Sequence, residues 1–430
     1  MIDALRAIVL HSWPDWYTIT VTMNKKQIIS WCLFDFANSS YSAVIAAVIF
    51  QVYYINVIVG NNEGRGDLWW GRAISLSMLL VSLTSPFLGG IADYAGRRKL
   101  LLAIYTSACV LAVVGFGSLS PGAAVLGFLL IALANIGMEG GLVFYNSFLP
   151  QIAQKEFQGR VSGWGFSVGY AGSIISLLIA LPLAKAGHFD LIWLMVAAFF
   201  AIFSLPAFLF LPPDAPVHIS PLHAGIKGFQ SALTTLKEIF ARKEARKFLL
   251  SYLIYEDGVN TVIVFSSSLA ATTFGFNQGE LIGLYLVVQV TALAGALILS
   301  GPTDTWGPKK VVILSLLLWV IVAVTAFFVQ TKTQFWIVAC TAGLGLGSVQ
   351  AGTRAFFTQF VPPGREAEYF GAYSLVGKSS AVLGPLVFGM VSSSFNSQRP
   401  AILSIAAFFI IGLLLLGRVR GGGPNVSQRR

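Results

Sequence analysis

Charged residues are scarce in this sequence. Asp, Glu, Lys and Arg make up 11% of its 430 residues, whereas hydrophobic residues make up 56%. A soluble globular domain carries about 25% charged residues. A soluble fold could not hide so much apolar surface, because even large domains leave about a quarter of the surface of their unfolded chain exposed. The shortage of charge therefore excludes an ordinary soluble domain and indicates a chain solvated largely by lipid.

Cysteine and histidine are also sparse. The three cysteines, Cys32, Cys109 and Cys340, lie in apolar segments without metal-ligand spacing, so they are interpreted as small buried hydrophobic residues. None of the four histidines lies in a long apolar segment. No Ser-His-Asp, Cys-His or metal-ligand pattern is visible. We therefore expect that the protein binds no metal or cofactor and is not an enzyme.

Long apolar segments dominate the chain instead. A membrane-spanning helix needs about 20 mostly apolar residues. Twelve segments meet that criterion, and they predict an all-α membrane protein; spans are numbered 1 to 12 in chain order below. The predicted spans are 29–58, 68–91, 99–118, 122–151, 161–184, 190–211, 248–272, 279–300, 309–330, 334–359, 368–391 and 401–417.

The distribution of Lys and Arg predicts the orientation. With the N-terminus inside, 21 of the 28 basic residues fall in cytoplasmic segments and 4 in external ones. This bias places both termini in the cytoplasm, and we expect a bacterial inner membrane. It also explains the net charge of +10, so no nucleic-acid partner is expected.

The spans divide the chain into two bundles. We expect an N-terminal tail over 1–24, six-helix bundles over 25–211 and 248–418, a cytoplasmic linker over 212–247 and a cytoplasmic tail over 419–430. Translation begins at Met23, or residues 1–22 form a genuine disordered tail; both interpretations stay open. The second part of the linker is amphipathic, with Leu233, Leu236, Ile239 and Phe240 on one stripe. It lies along the inner leaflet or serves as a flexible connection.

Two pairs of motifs indicate a duplicated six-helix unit. Residues 90–99 read GIADYAGRRK and residues 301–310 read GPTDTWGPKK, at an offset of 211 residues. Residues 163–169 read GWGFSVG and residues 371–377 read GAYSLVG, at an offset of 208 residues. Because both pairs occur at the same helix count, they predict two pseudo-symmetric halves.

The first pair resembles the loop that major facilitator transporters share between helices two and three. The resemblance implies a twelve-helix transporter in which the aspartate and the basic residues brace a cytoplasmic gate. The alternative is a plain positive loop with a turn. The expected gate residues are Gly89, Asp93, Gly96, Arg97, Arg98, Asp304, Gly307, Lys309 and Lys310.

Four further segments resemble one subfamily, which includes the fungal vacuolar amino-acid effluxers and uncharacterised bacterial permeases. They are 31–41 (WCLFDFANSSY), 144–150 (FYNSFLP), 255–258 (YEDG) and 364–371 (GREAEYFG). The resemblance implies a small polar solute, with amino acids favoured. This chain has Glu256 where the subfamily pattern has Asn, which adds a carboxylate near the expected site.

Six ionisable residues lie well within spans, and each costs about 2.5–3.5 kcal/mol at the centre of a lipid-facing helix. They are therefore expected to face a cavity or each other. In a major facilitator fold, helices one, four, seven and ten line the central cavity. Five of the six ionisable residues fall on these helices, and Lys378 does not. The expected substrate or proton-coupling residues are Asp35, Asn38, Glu139, Tyr145, Asn146, Glu256, Asp257, Asn260 and Arg354.

Roles within this set stay open. Asp35 and Asn38 mirror Asp257 and Asn260, so the two pairs could meet across the pseudo-twofold axis. An aspartate carries the coupled proton, or it forms a static ion pair with Arg354 or Lys378. Arg354 clamps a substrate carboxylate, or its side chain extends to the membrane interface.

The expected function is secondary transport by a monomer, with a small-molecule substrate and protons as the candidate coupling ion. The alternative is a receptor or scaffold on the same fold. Residues 372–379 (AYSLVGKS) only loosely resemble a phosphate-binding loop and lie within a span without a preceding strand, so ATP binding is not expected.

Overall fold

The computed structural model describes residues 24–60, 65–214, 221–381, 383–395 and 397–420. The two interpretations of the N-terminal segment, including a start at Met23, lie outside the described residues. So does most of the predicted C-terminal tail.

Twelve helices in the described part of the chain are long and apolar enough to cross a membrane, which confirms the predicted number. The observed bounds differ from the predicted ones mostly by a few residues, because helices extend past the apolar segment into polar turns. The spans are Lys25–Val59, Arg65–Ala95, Arg98–Ser118, Ala124–Ile152, Lys155–Lys185, Phe189–Phe210, Lys243–Ala271, Gly279–Thr305, Pro308–Phe328, Lys332–Thr358, Glu366–Phe395 and Gln398–Gly417.

The spans pack around two principal hydrophobic cores, one in each half. Apart from Ala367, the buried residues of the first core lie between Ile28 and Leu211. Those of the second lie between Ile239 and Val419. Large apolar side chains such as Leu209 (70% exposed) and Phe328 (68%) cover the outside, where lipid rather than water solvates them. The fold is therefore an all-α membrane bundle of two pseudo-symmetric halves.

Two spans depart from a regular α-helix. Span 1 contains π-helical turns over Tyr41–Val48 and Tyr54–Val59, a rare geometry that is frequently found at functional sites. Span 11 consists of two helical pieces, Glu366–Ser379 and Leu383–Phe395. Pro385 lies in the first turn of the second piece, where its missing N–H group costs least.

The linker contains a packed helix, Pro221–Ala241, rather than only a flexible connection. Its Gly228 lies against Gly90 of span 2, so closely that neither position has room for a side chain. Phe229 stacks on Phe87 at 4.4 Å between ring centroids. The predicted apolar stripe is split: Ile239 is fully buried, whereas Leu233 and Phe240 are each 40% exposed.

Candidate functional site

Both ends of the described chain, at Asn24 and Arg420, belong to the same end of the bundle, which we call the terminus end. The connections after spans 2, 4, 8 and 10 lie there as well. The two halves are bridged at this end through aspartates that follow the motif spacing predicted from the sequence.

Asp93, near the end of span 2, binds the beginning of span 11 in the other half. Its carboxylate accepts the backbone N–H groups of Ala367 at 3.2 Å and Glu368 at 2.9 Å. The first N–H groups of a helix lack partners within the helix and carry partial positive charge, so an aspartate there is stabilising. Arg98 donates to Asp93 at 2.5 Å and also binds Glu366, which extends the bridge across the halves.

Asp304, near the end of span 8, repeats this arrangement at the start of span 5. Its carboxylate accepts the backbone N–H of Arg160 at 3.1 Å, and the Arg160 guanidinium lies 3.6 Å away. Asp304 follows Asp93 by 211 residues, and Glu368 follows Arg160 by 208. The duplication therefore extends from the sequence motifs to the contacts they make.

Glycines make these bridges possible. Gly96 and Gly307 have φ angles of 59° and 91°, which turn the chain sharply after spans 2 and 8. A Cβ atom at Gly89 would lie 2.6 Å from the carbonyl carbon of Ala367, so only glycine allows spans 2 and 11 to approach this closely.

The other basic residues of the motifs have different surroundings. Arg97 and Lys310 are exposed. Lys309 donates to the carbonyl oxygens of Gly417 and Val419 at the end of span 12. In the described part of the chain, Asp93, Arg98 and Asp304 thus take part in the bridge between the halves. Arg97, Lys309 and Lys310 do not.

A set of bridging residues escaped the sequence analysis. Arg365 donates to Glu238 of the linker helix at 2.7 Å and to Glu368 at 3.0 Å. Thr235 of the linker helix also binds Glu368. The linker helix is therefore attached to the start of span 11. The sequence feature that could have indicated this contact is the pair of acidic residues in the first turn of that span, Glu366 and Glu368.

Arg354, near the end of span 10, crosses between the halves deeper in the bundle than the bridges of Asp93 and Asp304 do. It is only 3% exposed. Its guanidinium donates to the Ser162 hydroxyl at 2.9 Å, the Ser162 carbonyl at 2.8 Å and the Asn146 side chain at 3.2 Å. It also lies over the rings of Phe166 (4.1 Å) and Trp31 (4.6 Å). Every one of these partners belongs to the N-terminal half, so Arg354 joins the halves and its side chain does not extend to the membrane interface.

Asp35 of span 1 faces this guanidinium. Its Oδ2 lies 3.6 Å from Arg354 Nη1, close enough for an ion pair but too far for a hydrogen bond. Asn38 donates weakly to Oδ1 at 3.5 Å. Tyr145 packs its ring on Trp31 at 4.6 Å, and its hydroxyl interacts with the same carboxylate without hydrogen-bond geometry. Asp35, Asn38, Tyr145, Asn146 and Arg354 therefore form one cluster.

Asp257 lies in different surroundings. Its carboxylate accepts the backbone N–H groups of Leu383 at 3.1 Å and Gly384 at 2.9 Å, which begin the second piece of span 11. Asn260 donates to the Ser380 hydroxyl at 3.2 Å. Both side chains thus stabilise the interruption of span 11. The two Asp/Asn pairs do not bond each other, contrary to the interpretation that they could meet across the pseudo-twofold axis.

Glu139 and Glu256 belong to a third group. Glu139 of span 4 forms an ion pair across the halves with Lys378 of span 11. Glu256 of span 7 is partly buried and has Lys378 as its electrostatic neighbour. The sequence placed Lys378, alone among the six intramembrane charges, away from the cavity-lining helices. The structure brings it close to Glu139 and Glu256, which lie on those helices.

The inter-half bridges described above extend from the terminus end to the middle of the spans. Beyond that level, apolar side chains of the second piece of span 11 are exposed, with Leu386 at 58%, Met390 at 61% and Phe395 at 66%. The described halves are thus joined by ion pairs and hydrogen bonds at this end, and a small apolar cluster of Tyr170 with Ala292, Ala296 and Ala351 also packs between them.

This architecture is that of the major facilitator class of membrane transporters. The human organic anion transporter MFSD10 (TETRAN) shares the fold with a TM-score of 0.73, at 15% identity over 91% of this chain and 99% of that one. The FucP transporter, solved in an outward conformation, aligns with a TM-score of 0.69 at 15% identity over 91% and 98% of the two chains.

Within that class, the chain belongs to the family described as "Vacuole effluxer Atg22 like", whose model matches residues 72–421. The uncharacterised MFS-type transporter YxiO of Bacillus subtilis is 28% identical, over 94% of this chain and 97% of its own. Autophagy-related protein 22 of Kluyveromyces lactis is 24% identical, over 79% and 77%. The protein is thus an integral membrane transporter and not an enzyme.

Proposed function

We propose that the protein is a secondary transporter that moves a small polar solute by alternating access, with protons as the coupling ion. The observation that carries this proposal is the placement of charged inter-half contacts, Arg354 with Asp35 and Lys378 with Glu139, between the middle of the spans and the terminus end. If the halves rock about a midplane site, contacts at this level must form and break in each cycle.

Amino acids are the proposed solute class. The proposal rests on the family description as vacuole effluxers and on the mixture of positive and negative side chains at mid-span. Such solutes carry both charges themselves and need partners of both signs when water is removed.

We assign proton coupling to Asp35. Its side chain is 10% exposed, and its cation, Arg354, belongs to the other half. When the terminus end opens, Arg354 moves away with its half. A carboxylate left without its cation in the membrane interior is costly unless it takes up a proton. Asp257 is the weaker candidate, because its partners are backbone N–H groups of the same half.

The terminus end is proposed to face the cytoplasm, in a bacterial inner membrane, with the protein working as a monomer. The excess of Lys and Arg in the segments at that end supports the orientation. The bilayer then surrounds the apolar outer surface, and the linker helix lies at the cytoplasmic side. The proposed boundaries remain 25–211 and 248–418 for the two bundles.

The test is transport by purified protein in liposomes. We would impose an acidic exterior and offer pooled labelled amino acids. Accumulation that a protonophore abolishes is the expected result, and Asp35→Asn should remove its dependence on the proton gradient. Accumulation that survives the protonophore would contradict proton coupling. Absence of flux by folded protein would favour the receptor or scaffold alternative.

A further inference from the structure

Three ionisable side chains converge where the bridge between the halves ends. Lys378 of span 11 pairs with Glu139 of span 4, and their side chains are 25% and 15% exposed. Glu256 of span 7 lies within electrostatic range of the same lysine. Within the described residues, Glu256 has no hydrogen bond or ion pair. A partly buried carboxylate with this freedom is available to a ligand.

A second observation also indicates a missing polar partner. Tyr41 of span 1 is 1% exposed, and its hydroxyl has no hydrogen-bond partner among the described residues. Glu139 is one of its electrostatic neighbours. A buried hydroxyl without a hydrogen-bond partner is destabilising. This hydroxyl, on the Glu139 side of the cluster, is therefore suited to contact a polar solute.

The surroundings of Glu256 are aromatic. Tyr252, Tyr255, Tyr373 and Tyr170 are all within electrostatic range of its carboxylate. Tyr252 and Tyr373 stack with 4.5 Å between their ring centroids. Small-molecule sites typically combine such aromatic walls with a few polar groups of fixed position.

We propose that Lys378, Glu256 and Glu139 form the solute site, and that this site selects a zwitterion carrying an ammonium and a carboxylate group close together. This inference rests on the proposed transport function. The Lys378 ammonium has three N–H donors, and Glu139 occupies one of them, so two remain for the carboxylate of the solute. The free oxygens of Glu256 accept the ammonium.

The charges explain the selectivity. A solute that carries only a carboxylate meets Lys378 but is repelled by two glutamates. A solute that carries only an ammonium binds Glu256 but leaves the remaining Lys378 donors without a partner. The zwitterion alone satisfies both signs. Lys378 is therefore a substrate-contacting residue that positions the carboxylate, and Glu256 determines recognition of the ammonium.

Binding to the purified full-length protein tests this assignment. Three equimolar labelled pools serve as probes: α-amino acids, the amines obtained from them by decarboxylation, and the corresponding 2-hydroxy acids. We expect the amino-acid pool to bind at least tenfold more tightly than either of the others. Lys378→Gln and Glu256→Gln should each weaken amino-acid binding at least tenfold, whereas Lys378→Arg should retain most of it.

The matched control is Lys332→Gln, which removes a partly exposed lysine paired with Glu280 at the other end of the bundle. It should leave binding unchanged. Equally tight binding of the amine pool, or unchanged amino-acid binding by Lys378→Gln, would overturn the inference. If Lys378→Gln fails to fold, loss of binding in well-folded Glu256→Gln decides the question.

Transport data separate this inference from the proposed function. Proton-driven flux of a solute that is not zwitterionic, unaffected by Glu256→Gln, would leave the transporter proposal standing and refute the zwitterion site. Binding of amino acids with the expected charge selectivity but without flux would do the opposite.

Discussion

Asp93 and Asp304 occupy equivalent positions in the two halves, and each accepts backbone N–H groups from the first turn of a span in the opposite half. Asp35 and Asp257 also look equivalent, since each is followed by Asn three residues later, yet one faces a guanidinium and the other begins a helical piece. The duplication has thus kept its chemistry at the terminus end and lost it at mid-span.

The difference follows from what each level of the molecule does. At the terminus end, both halves make the same kind of contact: the end of a span in one half packs against the start of a span in the other. At mid-span, the proposed solute is not symmetric, so the two halves need not present the same groups to it. Divergence there places Arg354 and Lys378 in the C-terminal half alone, each reaching for carboxylates of the N-terminal half.

Breaking the Arg354–Asp35 pair should have the largest effect. Arg354→Ala leaves Asp35 buried without its cation and removes the hydrogen bonds to Ser162 and Asn146. Breaking a buried pair in this way costs about 3–5 kcal/mol. We expect a large loss of thermal stability in detergent, measured by fluorescence-detected size-exclusion after heating.

Arg354→Lys is the matched variant for that experiment. It keeps the charge but loses the planar donors that reach Ser162 and Asn146, so an intermediate stability is expected. A melting temperature equal to that of the unmodified protein in Arg354→Ala would show that the cluster does not hold the halves together.

The bridging aspartates, Asp93 and Asp304, provide the next prediction. Asp93→Asn and Asp304→Asn each weaken charge-assisted hydrogen bonds to a helix start, worth about 1.5–3 kcal/mol. Both should therefore shift the protein toward a state that is open at the terminus end. Asp93→Asn should shift it further, because the ion pair of Asp93 with Arg98, at 2.5 Å, is closer than that of Asp304 with Arg160, at 3.6 Å.

Cysteine labelling measures that shift. With Cys32, Cys109 and Cys340 replaced by serine, a single cysteine at Ser162 reports opening by its reaction with a water-soluble maleimide. We expect about ten- to hundredfold faster labelling in the Asp93 variant, and a smaller increase in the Asp304 variant. Equal rates in both variants and the parent would contradict a bridging role for either aspartate.

The sequence predicted the twelve spans, the duplication and the equivalent positions of Asp93 and Asp304, because apolar length, turn glycines and motif spacing are local properties. It did not predict that Asp257 stabilises the interruption of span 11, since that contact joins residues 126 and 127 positions apart. The partners of Lys378 were not predicted for the same reason, since they depend on which spans pack against span 11.

Asp257→Asn should have a moderate effect, below that of the Arg354 variants. The asparagine carbonyl can still accept one N–H group from Leu383 or Gly384, so the expected loss is about 1–2 kcal/mol, similar to that of a helix cap. Thermal unfolding in detergent measures it. A loss as large as that of Arg354→Ala would show that Asp257 contributes as much to stability as the Arg354 cluster, despite its different partners.

The smallest expected effect concerns basic residues that belong to the repeated motifs but take no part in the bridge between the halves. Arg97 and Lys310 belong to the repeated motifs but are exposed, so Arg97→Ala and Lys310→Ala should each change stability by less than about 0.5 kcal/mol and leave Ser162 labelling unchanged. Arg98→Ala is the contrasting variant, because Arg98 binds both Asp93 and Glu366. If Arg97→Ala opened the terminus end as much as Arg98→Ala, the motif would act through its total charge, and the specific contacts of Arg98 would not explain the closed terminus end.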